Sequence, residues 1–305
     1  MKLTLDHFNS LIDLTAHFSS EKRCRDFITE QRWGKHVICP FCGGHRIYVC
    51  SNGNNQFKCG SCQNRFSCLV GTIFQNTKLP LKKWFMAMYM MASHKKGISS
   101  HQLARDLDVT QKTAWFILHK LRILFEQDQI PVLDGEVEID ELYYGGREAN
   151  KHRQRRDSVI KPPILGIIQR GGYARAMHVK DTEPSTILPL IKGYCSDMAI
   201  LFTDELATYK ALRKEGFRHC IIRHSKKEYS RNGVTTNSIE GFWGYFKRMV
   251  FGTYHVVSKV YLQRYIDEAV YRYNTRNQSS SQRFRFLLDR FAGIIRYNDV
   301  ILSEN

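Results

Sequence analysis

The chain has 305 residues, with 46 Lys and Arg against 29 Asp and Glu and a formal net charge of +17, so a polyanion is its expected partner. The length is enough for two or three domains, and the 43% hydrophobic content can supply their cores. The longest apolar run, residues 84–92, is far below the roughly 20 residues of a membrane span. With no apolar signal core at the N-terminus, the expectation is a cytoplasmic protein whose nine cysteines are reduced.

Taken in chain order, residues 1–75 read as a helix followed by a metal module. Cys39-Pro40-Phe41-Cys42 and Cys59-Gly60-Ser61-Cys62 form two CxxC knuckles, a spacing suited to one tetrahedral Zn(II) held by four thiolates. Segments 46–49 and 56–58 predict two short strands around the 51–55 turn, completing a zinc ribbon. Four thiolates leave no open coordination position, so this zinc is expected to be structural. Cys24, Cys50, Cys68, Cys195 and Cys220 are expected to be small buried hydrophobes.

Residues 76–130 predict a helical segment. Pro80 opens an apolar helix over 81–92, a short helix spans 98–107, residues 108–110 form a turn, and a further helix covers 111–122. This is the layout of a helix-turn-helix, with Gln111 and Lys112 where a recognition helix meets base edges. The competing reading is a plain helical linker.

From residue 131 the pattern becomes alternating strands and helices, to about residue 280, with a helical tail at 281–305. Strands are predicted over 136–144, 163–169, 174–179, 198–203 and 219–224, and helices over 185–194 and from 205 to 214. This β-β-β-α-β-α-β order, with acids on the first and fourth strands, predicts an α/β, ribonuclease-H-like core built on a mixed sheet. Asp140 and Asp204 end strands, and Glu240 sits in a late helix. Three such carboxylates can converge on two hard divalent cations, Mg(II) or Mn(II), about 3.5–4 Å apart, for phosphoryl transfer. Asp134, Glu136, Glu138, Glu141 and Glu205 are read as structural or supporting. Ile239, Phe242, Trp243, Phe246 and Val250 read as the core stripe of the late helix.

Two basic runs lie between these acids. Residues 147–180 hold nine Lys and Arg against two acids, including Arg153, Arg155 and Arg156, and residues 210–231 hold eight against two. Both are expected to meet phosphate backbone. Asn237 and Lys247 fall on the side of the late helix that carries Glu240, while Arg248 projects elsewhere, toward flanking DNA.

Three blocks, Ile139-Asp140-Glu141-Leu142-Tyr143-Tyr144-Gly145-Gly146, Thr203-Asp204 and Asn237-Ser238-Ile239-Glu240-Gly241-Phe242-Trp243-Gly244-Tyr245-Phe246-Lys247-Arg248, resemble the catalytic blocks of bacterial insertion-sequence DDE transposases. More narrowly, the chain is similar to the ISXO-like group, whose members carry an N-terminal zinc ribbon. Segments 252–255, 264–268 and 271–274 extend the likeness, which covers roughly residues 20–280. The resemblance implies a nucleoid-associated enzyme that binds the terminal inverted repeats of its own element and catalyses metal-dependent cleavage and strand transfer. Water first frees a 3′-hydroxyl, which then attacks target DNA. Its partners would be double-stranded element ends and target, held by a homodimer or larger synaptic complex. The resemblance also implies that Lys247 reaches a phosphate near the scissile bond. It admits Asn or His as well as Glu as third ligand, so Asn237 stands beside Glu240, with Glu240 preferred for its anionic oxygens and Asn237 expected to cap the helix or to support the metal ligands from behind. Two rivals remain: a ribonuclease-H-like nuclease or junction resolvase, and a non-catalytic DNA-binding regulator derived from a transposase.

Overall fold

The computed structural model describes residue 8 and residues 10–50, 55–145, 161–222 and 236–302. The chain divides into two compact units, one formed by residues up to Leu124 together with Gln278 onward, the other by Phe125–Asn277. No helix among the described residues is long and apolar enough to cross a membrane.

The first unit opens with α1 (Leu11–His17) and α2 (Glu21–Trp33). Ser10 and Ser20 start them by accepting the backbone N–H of Asp13 and Arg23. A three-stranded antiparallel ribbon follows: β1 (Ile47–Val49), β2 (Gln56–Cys59) and β3 (Arg65–Ser67). The third strand adds to the two expected from sequence; its Phe66 pairs with Phe57, and both pack on Trp33. The next helix, α3 (Leu81–Ser93), is buried on nearly every side, as a helix apolar all round must be. It is the central element of this unit, in contact with α1 and α2, with α4 (Ser100–Leu107), α5 (Gln111–Arg122) and α9 (Ser280–Asp289). The last helix, α10 (Tyr297–Val300), lies on α5. The C-terminal segment is therefore part of the unit built by the N-terminal residues. Apolar residues of α9 at 284, 287 and 288 are buried with it.

The α4–turn–α5 pair matches its predicted layout for local reasons. Ser99 accepts from Gln102 N and Thr110 from Thr113 N, fixing both helix starts. Between them Asp108 takes the left-handed conformation and donates its N–H to carbonyls 104 and 105, closing α4. Leu103, Leu107, Ala114, Ile117, Leu118 and Leu121 face inward, leaving Gln111 and Lys112 exposed.

The second unit is a five-stranded mixed sheet in the order β6-β5-β4-β7-β8, from β4 (Glu136–Tyr143), β5 (Pro163–Gln169), β6 (Ala174–His178), β7 (Ile200–Thr203) and β8 (Arg218–Ile221). β4, β5 and β6 run antiparallel, whereas β7 and β8 continue parallel to β4. One face carries α6 (Pro184–Tyr194), whose Ile187 and Ile191 meet Val137, Ile139, Leu165 and Ile167. The other carries α7 (Asn237–Met249) and α8 (Leu262–Asn274) over Leu142, Ile164 and Ile168. Covering both faces buries Glu138 fully, at a position an alternating pattern would leave in water, while Glu136 at the start of β4 stays exposed.

The helix expected from residue 205 is instead a 3-10 turn, Ala207–Arg213. The two side chains it gives to the apolar core, Tyr209 and Leu212, are three apart, the spacing a three-residue turn aligns on one face. The Asp204 carboxylate accepts the Leu206 N–H at 2.9 Å and so starts the turn.

Candidate active site and zinc centre

In the ribbon the ligand atoms of Cys39, Cys42, Cys59 and Cys62 all lie within 4.8 Å of one another. The Sγ atoms of Cys39 and Cys62 are 3.7 Å apart and those of Cys42 and Cys59 3.6 Å. Backbone bonds from Gly43 N to Cys39 O and from Cys59 N to Asn64 O close the two knuckles. The N–H groups of Cys62 and Ser61 point at the Cys59 sulfur and hold its thiol down to about 6, which favours the thiolate a metal needs. The donor set fits structural zinc. Burial pushes the Cys24 and Cys195 thiols up to about 12, in keeping with inert packing.

The carboxylates belong to the second unit. β4 and β7 are parallel neighbours whose register pairs Glu138 with Phe202. Asp140 and Asp204 each lie two residues further on; Asp204 follows the end of β7, whereas Asp140, expected to end its strand, sits inside β4 because β5 continues the pairing past it, at Gly166 and on to Pro163. Above them α7 lays its apolar stripe on the sheet, and Trp243 Nε1 donates to Asp140 Oδ2 at 3.1 Å. Burial, then the charge of Asp204, pushes Asp140 up to about 6, with the charge of Glu240 adding to the rise against the Trp243 bond. The three predicted ligands thus share one electrostatic neighbourhood, although among the described residues only the four cysteines form a closed ligand cluster. Glu240 is exposed and accepts from Thr236 Oγ1 at 3.1 Å.

Glu141 joins this group. It accepts the Tyr209 hydroxyl, and burial, opposed by that bond but reinforced by the charges of Asp204 and Asp140, pushes its carboxyl up to about 7. Mutual repulsion among hard oxygen donors is what a divalent cation relieves, so the residues fit such an ion.

Of the two roles expected of Asn237, the cap is not its own: Asn237 is the first residue of α7, and Thr236 holds the cap position without a side-chain cap bond. The free N–H of Ile239 is taken by Glu138 of β4 at 2.9 Å, and Ser238 Oγ donates to the same carboxylate at 3.1 Å. Lys247 and Arg248 are exposed on the last turn of α7, with the Arg248 guanidinium lying against Gly244. Gln111 and Lys112 are exposed at the start of α5 in the first unit, with Gln111 Nε2 on Ser100 Oγ at 2.8 Å. Arg153, Arg155 and Arg156, and residues 223–231 of the second basic run, lie outside the described residues.

The sequence alone did not single out Trp243, Gly166, Arg170 or Tyr209. Trp243 does belong to the core stripe, yet its indole N–H needed a partner once buried, and that requirement was the available signal.

The ISXO2-like transposase domain matches residues 132–274, and the transposase zinc-ribbon domain matches residues 19–65. The chain is 25% identical over 249 residues to an uncharacterized protein in transposable element ISH50 of Halobacterium salinarum, covering 73% of this chain and 81% of that protein. It is 28% identical over 96 residues to an uncharacterized transposase-like protein of Haemophilus influenzae, covering 32% of this chain and 76% of that one. With a zinc-ribbon match followed by a transposase-domain match, the chain is similar to ISXO2-like transposases over both segments.

Proposed function

We propose that this transposase binds the terminal inverted repeats of its element and catalyses DNA strand cleavage and strand transfer at Asp140, Asp204 and Glu240. The observation that carries the reading is that Asp140, inside β4, and Asp204, just past the end of β7, stand two residues beyond a paired position of adjacent parallel strands, with Asp140 bonded by the helix that bears Glu240. The 3-2-1-4-5 strand order of the mixed sheet supports a ribonuclease-H-like core. Two Mg(II) or Mn(II) ions bound by the three carboxylates would activate the attacking oxygen and neutralise charge on the scissile phosphate. The anionic oxygens of Glu240 favour it over the neutral Asn237 as third ligand.

In this reading the protein's own groups bind and orient. Lys247, exposed on α7, holds a phosphate beside the scissile bond, and Arg248 meets flanking DNA. Gln111 and Lys112 read base edges from α5, while the basic runs with Arg153, Arg155 and Arg156 neutralise backbone phosphate. The zinc ribbon at 1–75, the helix-turn-helix at 76–130 and the catalytic core at 131–280 divide these tasks, and a dimer or larger assembly joins two ends to a target.

The test is a strand-transfer assay with the element's own ends. Asp140→Asn, Asp204→Asn and Glu240→Gln should each retain DNA binding and abolish Mg-dependent transfer, whereas Asn237→Ala keeps measurable activity. A dead Asn237→Ala beside an active Glu240→Gln reverses the third-ligand assignment. Cleavage of branched or hybrid substrates without strand transfer would favour a resolvase or nuclease, and binding of the ends with no cleavage a regulator.

A further inference from the structure

One ion pair with a buried carboxylate touches all three elements that carry or lead to the proposed ligands. Glu138 of β4 is fully buried, two residues ahead of Asp140. It accepts Arg170 Nε at 2.7 Å, Ser238 Oγ at 3.1 Å and Ile239 N at 2.9 Å. Ser238 lies two residues ahead of Glu240. The Arg170 guanidinium stacks 4.1 Å from the centroid of Phe202, which lies two residues ahead of Asp204. Arg170 is itself tethered to the start of β4, by its N–H to Glu136 O at 2.9 Å and by Nη1 to the Glu136 carboxylate at 2.6 Å.

A buried carboxylate is costly unless its charge is paired and its oxygens are hydrogen-bonded. Here it is satisfied by a cation and two donors, and both donors belong to the first turn of α7. The Ile239 N–H is one of the amides a helix start leaves without an intrahelical partner, and negative charge is favoured at that end of the helix. Glu138 therefore acts as the N-terminal cap that the Thr236 side chain does not supply. Strand and helix meet across about a hundred residues of sequence, and the bond sets both the depth and the rotation of α7 over β4 at the turn where Glu240 stands.

We infer that the Glu138–Arg170 pair is a positioning device that holds Asp140, Asp204 and Glu240 in register for metal binding. The inference rests on the assignment of those three acids as ligands. Neither Glu138 nor Arg170 touches metal or DNA in it; both act through α7 and the two strands.

Two measurements on the full-length protein test it: Mn(II) binding, followed by the EPR signal of the free ion, and the Mg(II) concentration for half-maximal cleavage of end-bearing DNA. Glu138→Gln and Arg170→Lys are expected to weaken Mn(II) binding by about 10- to 100-fold and to raise the Mg(II) midpoint in parallel, with DNA retention unchanged. Ser238→Ala, which removes one bond, should shift both in the same direction by less. An irreversibly inactive fraction lowers amplitude without moving a midpoint, whereas reversible unfolding moves it through the folded fraction, so the comparison is made with variants that denaturant titration shows to be fully folded at the assay temperature. Should Glu138→Gln fail to fold, Arg170→Lys and Ser238→Ala carry the test. Wild-type Mn(II) affinity and Mg(II) midpoint in the folded variants overturn the inference. Asp140→Asn separates the two layers. If it binds Mn(II) as wild type does, the ligand assignment itself fails; if it loses Mn(II) while the pair variants keep it, only the positioning role fails.

Discussion

Trp243 Nε1 donates to Asp140 Oδ2 at 3.1 Å, and the indole reaches that carboxylate because residue 166, paired with Asp140 on the neighbouring strand, is glycine. A Cβ at Gly166 would stand 2.5 Å from the Trp243 ring. One residue of α7 thus fills the core and orients a candidate ligand. Trp243→Phe keeps most of the packing and loses the bond, so metal affinity and cleavage should fall by roughly tenfold or more with little change in melting temperature. Gly166→Ala should instead cost about 1–3 kcal/mol of stability by overpacking, read by denaturant unfolding. An unchanged metal affinity in Trp243→Phe would assign the indole to packing alone.

Zinc should be inseparable from the ribbon. Its own core is little more than Phe57 and Phe66 against Trp33, too small to fold unaided. Elemental analysis is expected to find one tightly bound Zn per chain, absent from Cys59→Ser/Cys62→Ser. That variant should lose the ribbon's protection from proteolysis while the second unit keeps its own. A metal-free ribbon that stays protected would contradict this.

DNA binding should separate into two kinds of recognition. Neutralising Arg153, Arg155 and Arg156 should weaken binding to all sequences alike and flatten the salt dependence, by about 0.9 in log–log slope for each phosphate that is no longer neutralised. Gln111→Ala and Lys112→Ala should alter preference among sequences, by about 1–3 kcal/mol at the bases they read. An unchanged slope would make the basic run a solvated loop.

Asp267 gives a pH signature that does not involve the proposed ligands. Burial pushes its carboxyl up to about 6, against the bonds it accepts from Gln127 at 2.7 Å and Gln263 at 2.8 Å. Because the folded state holds this proton more tightly than the unfolded chain, the contribution to stability is fully present below the unfolded value near 4. It is lost as pH rises through about 6. Asp267→Asn keeps acceptors for both amides and removes the charge. It should therefore gain on wild type by up to about 3 kcal/mol at pH 8, since each tenfold difference in proton affinity between the folded and unfolded chain is worth about 1.4 kcal/mol. The advantage should shrink toward pH 4 in urea titrations. A gain independent of pH would assign Asp267 no share in the titration.

Much of the architecture was legible because its causes are local. The knuckle spacing of Cys39, Cys42, Cys59 and Cys62 assembles a ligand set within one short ribbon. Ser99 and Thr110 start α4 and α5 through amides three residues away. The acid at 204 follows the apolar run of β7 as its sequence predicts, whereas Asp140 lies inside β4 because β5 extends the pairing beyond it; the family blocks pointed to α7. The tertiary structure decided what depends on packing across long stretches of chain. The alternation at Glu136-Val137-Glu138-Ile139 reads as a strand with one wet face, yet α7 covers that face and turns Glu138 into a buried cap some hundred residues from its partners. Trp243 reads as core from its spacing, and only the placement of Gly166 beside Asp140 aims its N–H at the carboxylate. Periodicity reports which face of an element is apolar; what lies on that face, and which polar groups must be satisfied there, is settled only when distant elements pack.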